Sequence, residues 1–175
     1  MKKAKKRLSN LGLHDLSADT KRIVNDLQLE EDRGAVLVGV AFLDDVLDAL
    51  LRAVLIDDSR TVDKLLKYPG PVCTFAARCD LAYSMGLLNA KMYSDLRIMR
   101  KIRNEFAHSH RPVRFTQAKI ENRCRELSPI PWKKLKLDWN PSPRSDFIVA
   151  VACLLSRLIL LGLKKKHAKV GKGFA

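Results

Sequence analysis

The sequence predicts an all-α protein: a single bundle of about six to eight helices over residues 17–163, with basic flexible tails over 1–16 and 164–175. Three observations predict it. The chain of 175 residues is 47% hydrophobic but only 6% aromatic, so its core is aliphatic, which suits helix packing on helix. Val36, Val40, Leu43, Leu47, Leu50, Leu51, Val54 and Leu55 recur at three- and four-residue steps, the spacing of one helical face. No stretch alternates apolar and polar residues as a strand does, and no internal repeat is present. The length is that of one domain.

Ser17 or Asp19 caps a first helix that runs to Leu29. Asp32 to Ile56 forms a long helix. Gly34 and Gly39 on it admit a close helix neighbour, and Asp44, Asp45 and Asp48 cluster along one edge. Ser59 or Thr61 starts a short helix through Lys67, which Tyr68-Pro69-Gly70-Pro71 breaks. Thr74 caps the next helix, and Gly86 is its C-terminal cap. Asn89 opens another, with Tyr93, Leu96, Met99, Arg100, Arg103 and Phe106 at helical spacing through His108; Pro112 stops the chain soon after. Val113 to Leu127 reads as a further, polar helix. Ser128-Pro129-Ile130-Pro131 and Asn140-Pro141-Ser142-Pro143 bracket a loop holding Trp132 and Trp139, which either cover a core edge or offer rings for stacking. Ser145 or Asp146 opens the last helix, apolar nearly all round from Phe147 to Leu163. It carries Arg157 and is a little short for a membrane span, so it reads as a buried core helix.

The four cysteines, Cys73, Cys79, Cys124 and Cys153, form no Cys-x-x-Cys pair, so reduced thiols in a cytoplasmic protein are expected. There is no His-Glu-x-x-His, no glycine-rich phosphate loop and no zinc-finger spacing, and no metal or cofactor is expected. Met85, Met92 and Met99 recur every seven residues, interrupted by Gly86, and read as core filling. Met1 to Asn10 is basic without a following apolar signal core. The net charge of +14 is concentrated: ten basic residues lie in Lys2–Arg7 and Lys164–Lys172, neither of which contains an acid. Such runs either attract polyanions without sequence specificity or simply solubilise the chain.

Within the body, one basic cluster stands out. Arg97, Arg100, Lys101, Arg103, Arg111, Arg114, Lys119, Arg123 and Arg125 face only Glu105 and Glu121 in the same stretch. The residues Arg97, Arg100, Lys101, Arg111 and Arg114 are the candidate contact set for nucleic acid or for an acidic partner. No helix-turn-helix with a basic recognition helix accompanies them. Inside the cluster lies Arg103-Asn104-Glu105-Phe106-Ala107-His108. An arginine and a histidine together can in principle cleave RNA without metal. The imidazole moves a proton near neutral pH and the guanidinium neutralises phosphate. Positions 103 and 108 are ~140° apart around an ideal helix, so a complete site needs two chains about a twofold axis. In that arrangement His108 is general acid or base, Arg103 stabilises the phosphorane and Asn104 orients one of them. The other reading is structural: Arg103 pairs with Asp95 or Glu105, Asn104 caps a backbone and His108 faces the helix C-terminus.

Two resemblances rest on these residues. Gly70-Pro71, Phe75, Arg78, Leu81, Tyr83, Gly86, Leu87, Leu88, Tyr93, Asp95, Leu96 and the Arg103–His108 element, in this order, resemble the mannitol operon repressor family of bacteria. That resemblance covers Tyr68 to His108 closely. It implies a helical cytoplasmic transcriptional regulator of sugar-alcohol uptake without a recognisable DNA-binding domain, in contact with a sugar-phosphotransferase component. Arg103, Asn104 and His108 separately resemble the motif of the HEPN superfamily, helical domains that often pair and include metal-independent RNases. The leading expectation is a repressor-like regulator working through protein–protein contacts, as a homodimer, with nucleic acid touched through the tails and basic surface. The alternative is a metal-independent ribonuclease or toxin using Arg103 and His108.

Overall fold

The computed structural model describes residues 16–128, 140–164 and 167–168, with side chains from residue 22 onward, and seven helices lie among these described residues. They are α1 (Leu16–Leu29), α2 (Asp32–Val54), α3 (Ser59–Leu66), α4 (Phe75–Ser84), α5 (Ala90–His108), α6 (Ala118–Arg125) and α7 (Pro143–Lys164). Among the described residues there is no strand, as an aliphatic, helix-periodic sequence requires. The expected Trp132–Trp139 loop, the N-terminal basic run and most of the C-terminal one lie outside the described residues.

Local chemistry sets the helix ends. Asp58, not Ser59 or Thr61, caps α3: its carboxylate accepts from the Arg60 and Thr61 N–H groups at 3.0 and 3.3 Å and from the Thr61 hydroxyl at 2.6 Å. Thr74 caps α4 by accepting from Ala77 N–H at 3.2 Å, and Asn89 caps α5 by accepting from Met92 N–H at 2.9 Å. Gly86 ends the α4 hairpin at φ 66°, a left-handed conformation that suits glycine, while Leu87 N–H returns to Ala82 O at 2.9 Å. Pro143 takes the first position of α7, where no N–H is needed, behind Ser142, whose hydroxyl accepts from Ser145 N–H at 3.1 Å. Ser17 and Asp19 lie inside α1, which already begins at Leu16.

The expected helix from Val113 to Leu127 is shortened to Ala118–Arg125. The reason is tertiary. Phe115 is buried, and its N–H is donated to Asp32 Oδ2 at 3.2 Å, so residues 113–117 are held against α2 and close only a single turn, Gln117 N–H to Arg114 O at 3.1 Å.

The core lies between α2 and α7, which form the most extensive helix contact. Leu43, Leu47 and Leu51 of α2 and Phe147, Val151 and Leu158 of α7 are fully buried. α1 covers this pair with Ile23, Val24 and Leu27, and α5 packs on α2 through Leu96, Met99, Ile102 and Phe106. Gly39 admits a close neighbour as expected: a Cβ there would sit 3.5 Å from both Leu27 and Val151. Gly34 does not, since a Cβ there would meet only the side chain of Glu30. Met92 and Met99 are core residues, but Met85 is 40% exposed. At 22 residues, with an 18-residue window of mean hydropathy 2.2, α7 is long and apolar enough to cross a membrane, contrary to the length expectation; in this fold 61% of that window is buried in the bundle.

Polar cross-links fix the helices. Arg144 at the start of α7 pairs with Asp32 at 2.7 Å and donates to the carbonyls of Leu27, Gln28 and Glu30. At the other end His167 Nδ1 meets Leu55 O at 2.8 Å and Ala168 N–H donates to Val54 O at 2.9 Å. The start of the C-terminal tail is thus tied to the end of α2. Two acids on the edge of α2 are engaged internally, Asp44 by Arg78 at 2.5 Å and Asp48 by Arg52 at 2.5 Å, which also reaches Asp63 at 2.6 Å; Asp45 stays exposed with no ion pair among the described residues.

Candidate functional site

α5 carries the candidate residues, and its neighbours decide which are available. Its buried face packs into the core. Around the opposite face, positions 97, 100, 101, 104 and 108 fall within ~100° of one another at 3.6 residues per turn. Arg97, Arg100, Lys101 and His108 on this face are exposed, and Asn104 is half-buried. Arg103 lies beyond the face's edge, also half-buried.

Neither acid expected to pair with Arg103 does so. Asp95 is buried and accepts from Ser128 N–H at 3.0 Å and the Ser128 hydroxyl at 2.5 Å. Glu105 is taken by Lys119 at 2.7 Å and Arg123 at 3.1 Å. The Lys119 ammonium, then the Arg123 guanidinium, hold the Glu105 carboxyl below its usual range against a smaller opposing effect of burial. Arg103 Nη1 instead donates to Asn104 Oδ1 at 3.0 Å and has no ion pair among the described residues. Asn104 caps no backbone group among the described residues, its Oδ1 being taken by Arg103. His108 ends α5 without a hydrogen-bond partner among the described residues, and the following Ser109 carbonyl is held by Arg33 at 2.7 Å. The structure thus brings Arg103 and Asn104 together and leaves His108 free at the helix end.

The basic cluster divides in two. Lys119 and Arg123 are spent on Glu105, and Arg125 pairs with Glu121 at 2.5 Å. Arg97, Arg100, Lys101, Arg111 and Arg114 are exposed and make no ion pair among the described residues. Arg111 and Arg114, with Arg33 and His110, border a cleft of about 280 Å³ at the start of α2.

A second cleft, of about 180 Å³, opens between α4 and α5 and is bordered by Asp80, Tyr93, Arg97 and Arg100. Sequence reasoning missed its organisation. Tyr83 and Tyr93 stack with ring centroids 4.3 Å apart and planes 4° from parallel. The Tyr93 hydroxyl donates to Asp80 Oδ1 at 2.7 Å, and Arg97 lies over the Tyr93 ring at 5.6 Å. The hydrogen bond to Asp80, with burial and the Asp80 charge adding, raises the Tyr93 phenol above its ordinary value. The only sequence signal was the Gly86 turn, which folds α5 back along α4 and so brings residues ten apart into contact.

No group of three or more potential metal ligands occurs among the described residues. Burial pushes the Cys79 and Cys124 thiols up to about 12 and raises Cys153, so these groups are packing residues and not nucleophiles.

Comparison with known proteins agrees with this architecture. The X-ray structure of the MtlR–HPr complex from Escherichia coli superposes with a TM-score of 0.65 over 81% of this chain and 98% of that one, at 22% identity, a likeness of fold. No curated protein matches the chain. The sequence profile of the mannitol repressor matches residues 20–157, from the second turn of α1 into α7. The resemblance first read between Tyr68 and His108 thus extends over most of the domain, and the chain belongs to the mannitol repressor family.

Proposed function

We propose that this protein is a bacterial repressor-like transcriptional regulator that acts in the cytoplasm by binding another protein, a sugar-phosphotransferase component of the HPr kind. One observation carries the reading. Arg97, Arg100, Lys101, Arg111 and Arg114, on α5 and the segment after it, are exposed and make no ion pair among the described residues, while Glu105, Glu121 and Asp32 nearby are taken by other cations. Such a set of exposed cations steers a partner and fixes its orientation. The fold's likeness to a protein solved in complex with HPr supports the choice of partner. The reading includes a paired assembly of two chains. It also includes weak, salt-sensitive nucleic-acid contact through the same cations and the tails, with no membrane contact.

Calorimetric titration of the full chain with HPr tests it. Binding at physiological salt is expected, and reversing Arg111 and Arg114 to glutamate weakens it at least tenfold. DNA carrying the target operator binds no better than random duplex unless the partner is present. No HPr binding, or strong operator preference by the protein alone, overturns the reading.

A second reading is favoured by one specific observation: Arg103 has no acid partner and His108 no hydrogen-bond partner among the described residues, although acids stand on the same helix. Paired across two chains, they fit a metal-independent endoribonuclease with Asn104 as the orienting group. RNA cleavage in excess EDTA that is lost in both Arg103→Ala and His108→Ala supports it; no cleavage by folded protein removes it.

A further inference from the structure

We propose that the cleft between α4 and α5 binds a phosphorylated polyol, its phosphate held by Arg97 and Arg100 and its hydroxyl groups by Asp80. The inference rests on the family reading above for the setting of a sugar-alcohol regulator, and on the cleft itself for the chemistry.

Arg97 and Arg100 are three residues apart on α5, so their side chains are neighbours on one helix face. Both border the same cleft, both are exposed and neither has an ion pair among the described residues. Two guanidinium groups so placed are matched to an oxyanion with several acceptors. Arg97 is also held in place over the Tyr93 ring, which lowers the entropy lost on binding.

Asp80 selects what the anion is attached to. It borders the same cleft, and its Oδ1 is occupied by the Tyr93 hydroxyl. A bare phosphate would meet this carboxylate as a like charge. A ligand with phosphate at one end and hydroxyl donors along its length meets the arginines with the first and the carboxylate with the second. Ala76, half-buried at the border of the cleft, suits the carbon chain.

The dimensions and the aromatic geometry favour a small ligand over a nucleotide. At about 180 Å³ the cleft is smaller than sites that enclose drug-sized molecules or nucleotides. Tyr93 has no face left for a base, since Tyr83 stacks on it at 4.3 Å and Arg97 lies over it.

The test is calorimetric titration of the full chain with mannitol 1-phosphate, mannitol and inorganic phosphate. Mannitol 1-phosphate is expected to bind at least tenfold more tightly than inorganic phosphate, and mannitol not measurably. Arg97→Ala with Arg100→Ala abolishes binding without changing the melting temperature. Asp80→Ala brings the affinity for mannitol 1-phosphate down to that for inorganic phosphate. Arg60→Ala with Lys64→Ala, which removes the same charge from exposed positions on α3, leaves binding unchanged. Equal binding of inorganic phosphate, binding that survives loss of both α5 arginines, or no binding by the wild type overturns the proposal. The HPr titration separates the two claims: HPr binding without polyol phosphate binding refutes this inference alone, whereas failure to bind HPr refutes the function reading whatever the cleft holds.

Discussion

Replacing Arg144 with methionine keeps the aliphatic stem and removes the guanidinium that joins the start of α7 to α1 and α2. Two sets of groups lose their partner. The first is Asp32, whose carboxylate is 2.7 Å from Arg144 and keeps only the Phe115 N–H at 3.2 Å. The second is the carbonyls of Leu27, Gln28 and Glu30 at the end of α1. The Glu30 carbonyl is exposed and those of Leu27 and Gln28 are partly so, and water at this helix end offsets most of the lost bonds. The ion pair is different, because its side chains are only 23% and 21% exposed. A hydrogen bond to a charged group contributes about 1.5–3 kcal/mol, and partial exposure puts this one near the lower end. The expected loss is about 2 kcal/mol, or roughly 4–8 °C in Tm for a domain of this size. Urea denaturation with an unchanged m-value measures it, and a cycle with Asp32→Asn is expected to assign about 1 kcal/mol or more to the pair. A loss below about 0.5 kcal/mol for Arg144→Met, or additive single effects, would refute the reasoning.

Three further outcomes are expected. Gly86→Ala forces a side chain into φ 66° and lowers stability by about 1 kcal/mol in thermal unfolding, although no neighbouring atom lies within 4 Å to clash. Cys79 and Cys124, both buried with thiols near 12, stay unmodified by iodoacetamide at pH 8 in the native protein, while half-buried Cys73 reacts first; mass spectrometry of the labelled peptides decides the order. Because its folded pKa is depressed, Glu105 contributes stability that is present above its ordinary value of about 4.3 and lost as pH falls through the lower folded value; Glu105→Gln is therefore less stable than the wild type at neutral pH, and the two melting temperatures converge as the pH is lowered through that range.

The helices that were legible in the sequence are those whose burial comes from one periodic face. Leu43, Leu47, Leu50 and Leu51 announce α2 because every one of them is buried against neighbours on the same side. The segment after Pro112 misled because its decisive bond is distant: Phe115 N–H finds Asp32, 83 residues away, and no local pattern encodes that. Asp58 was overlooked as a cap because Ser59 and Thr61, equally good cap residues, follow it at once. At the site, the cations of α5 could be read directly, but which stay unpaired depended on Glu105 turning toward Lys119 and Arg123 on α6. The tyrosine stack and Asp80 were hidden for the same reason, since each needs the α4–α5 hairpin to be folded first.

The bonds at the two ends of α7 have a mechanical consequence. α2 and α7 run parallel, joined at their starts by Arg144 and Asp32 and at their finishes by His167 and Ala168 on the last carbonyls of α2. Two rods of 23 and 22 residues fastened at both ends cannot slide past one another without breaking a fastening. The pair forms a spine of fixed register, so shear is confined to elements hung from it. α4 and α5 are such elements, connected to the spine along α2 and to each other through a glycine turn. Arg78 of α4, on Asp44 and Asp48 of α2, carries that register into the hairpin, so a ligand or partner seated there meets a frame already set by the spine.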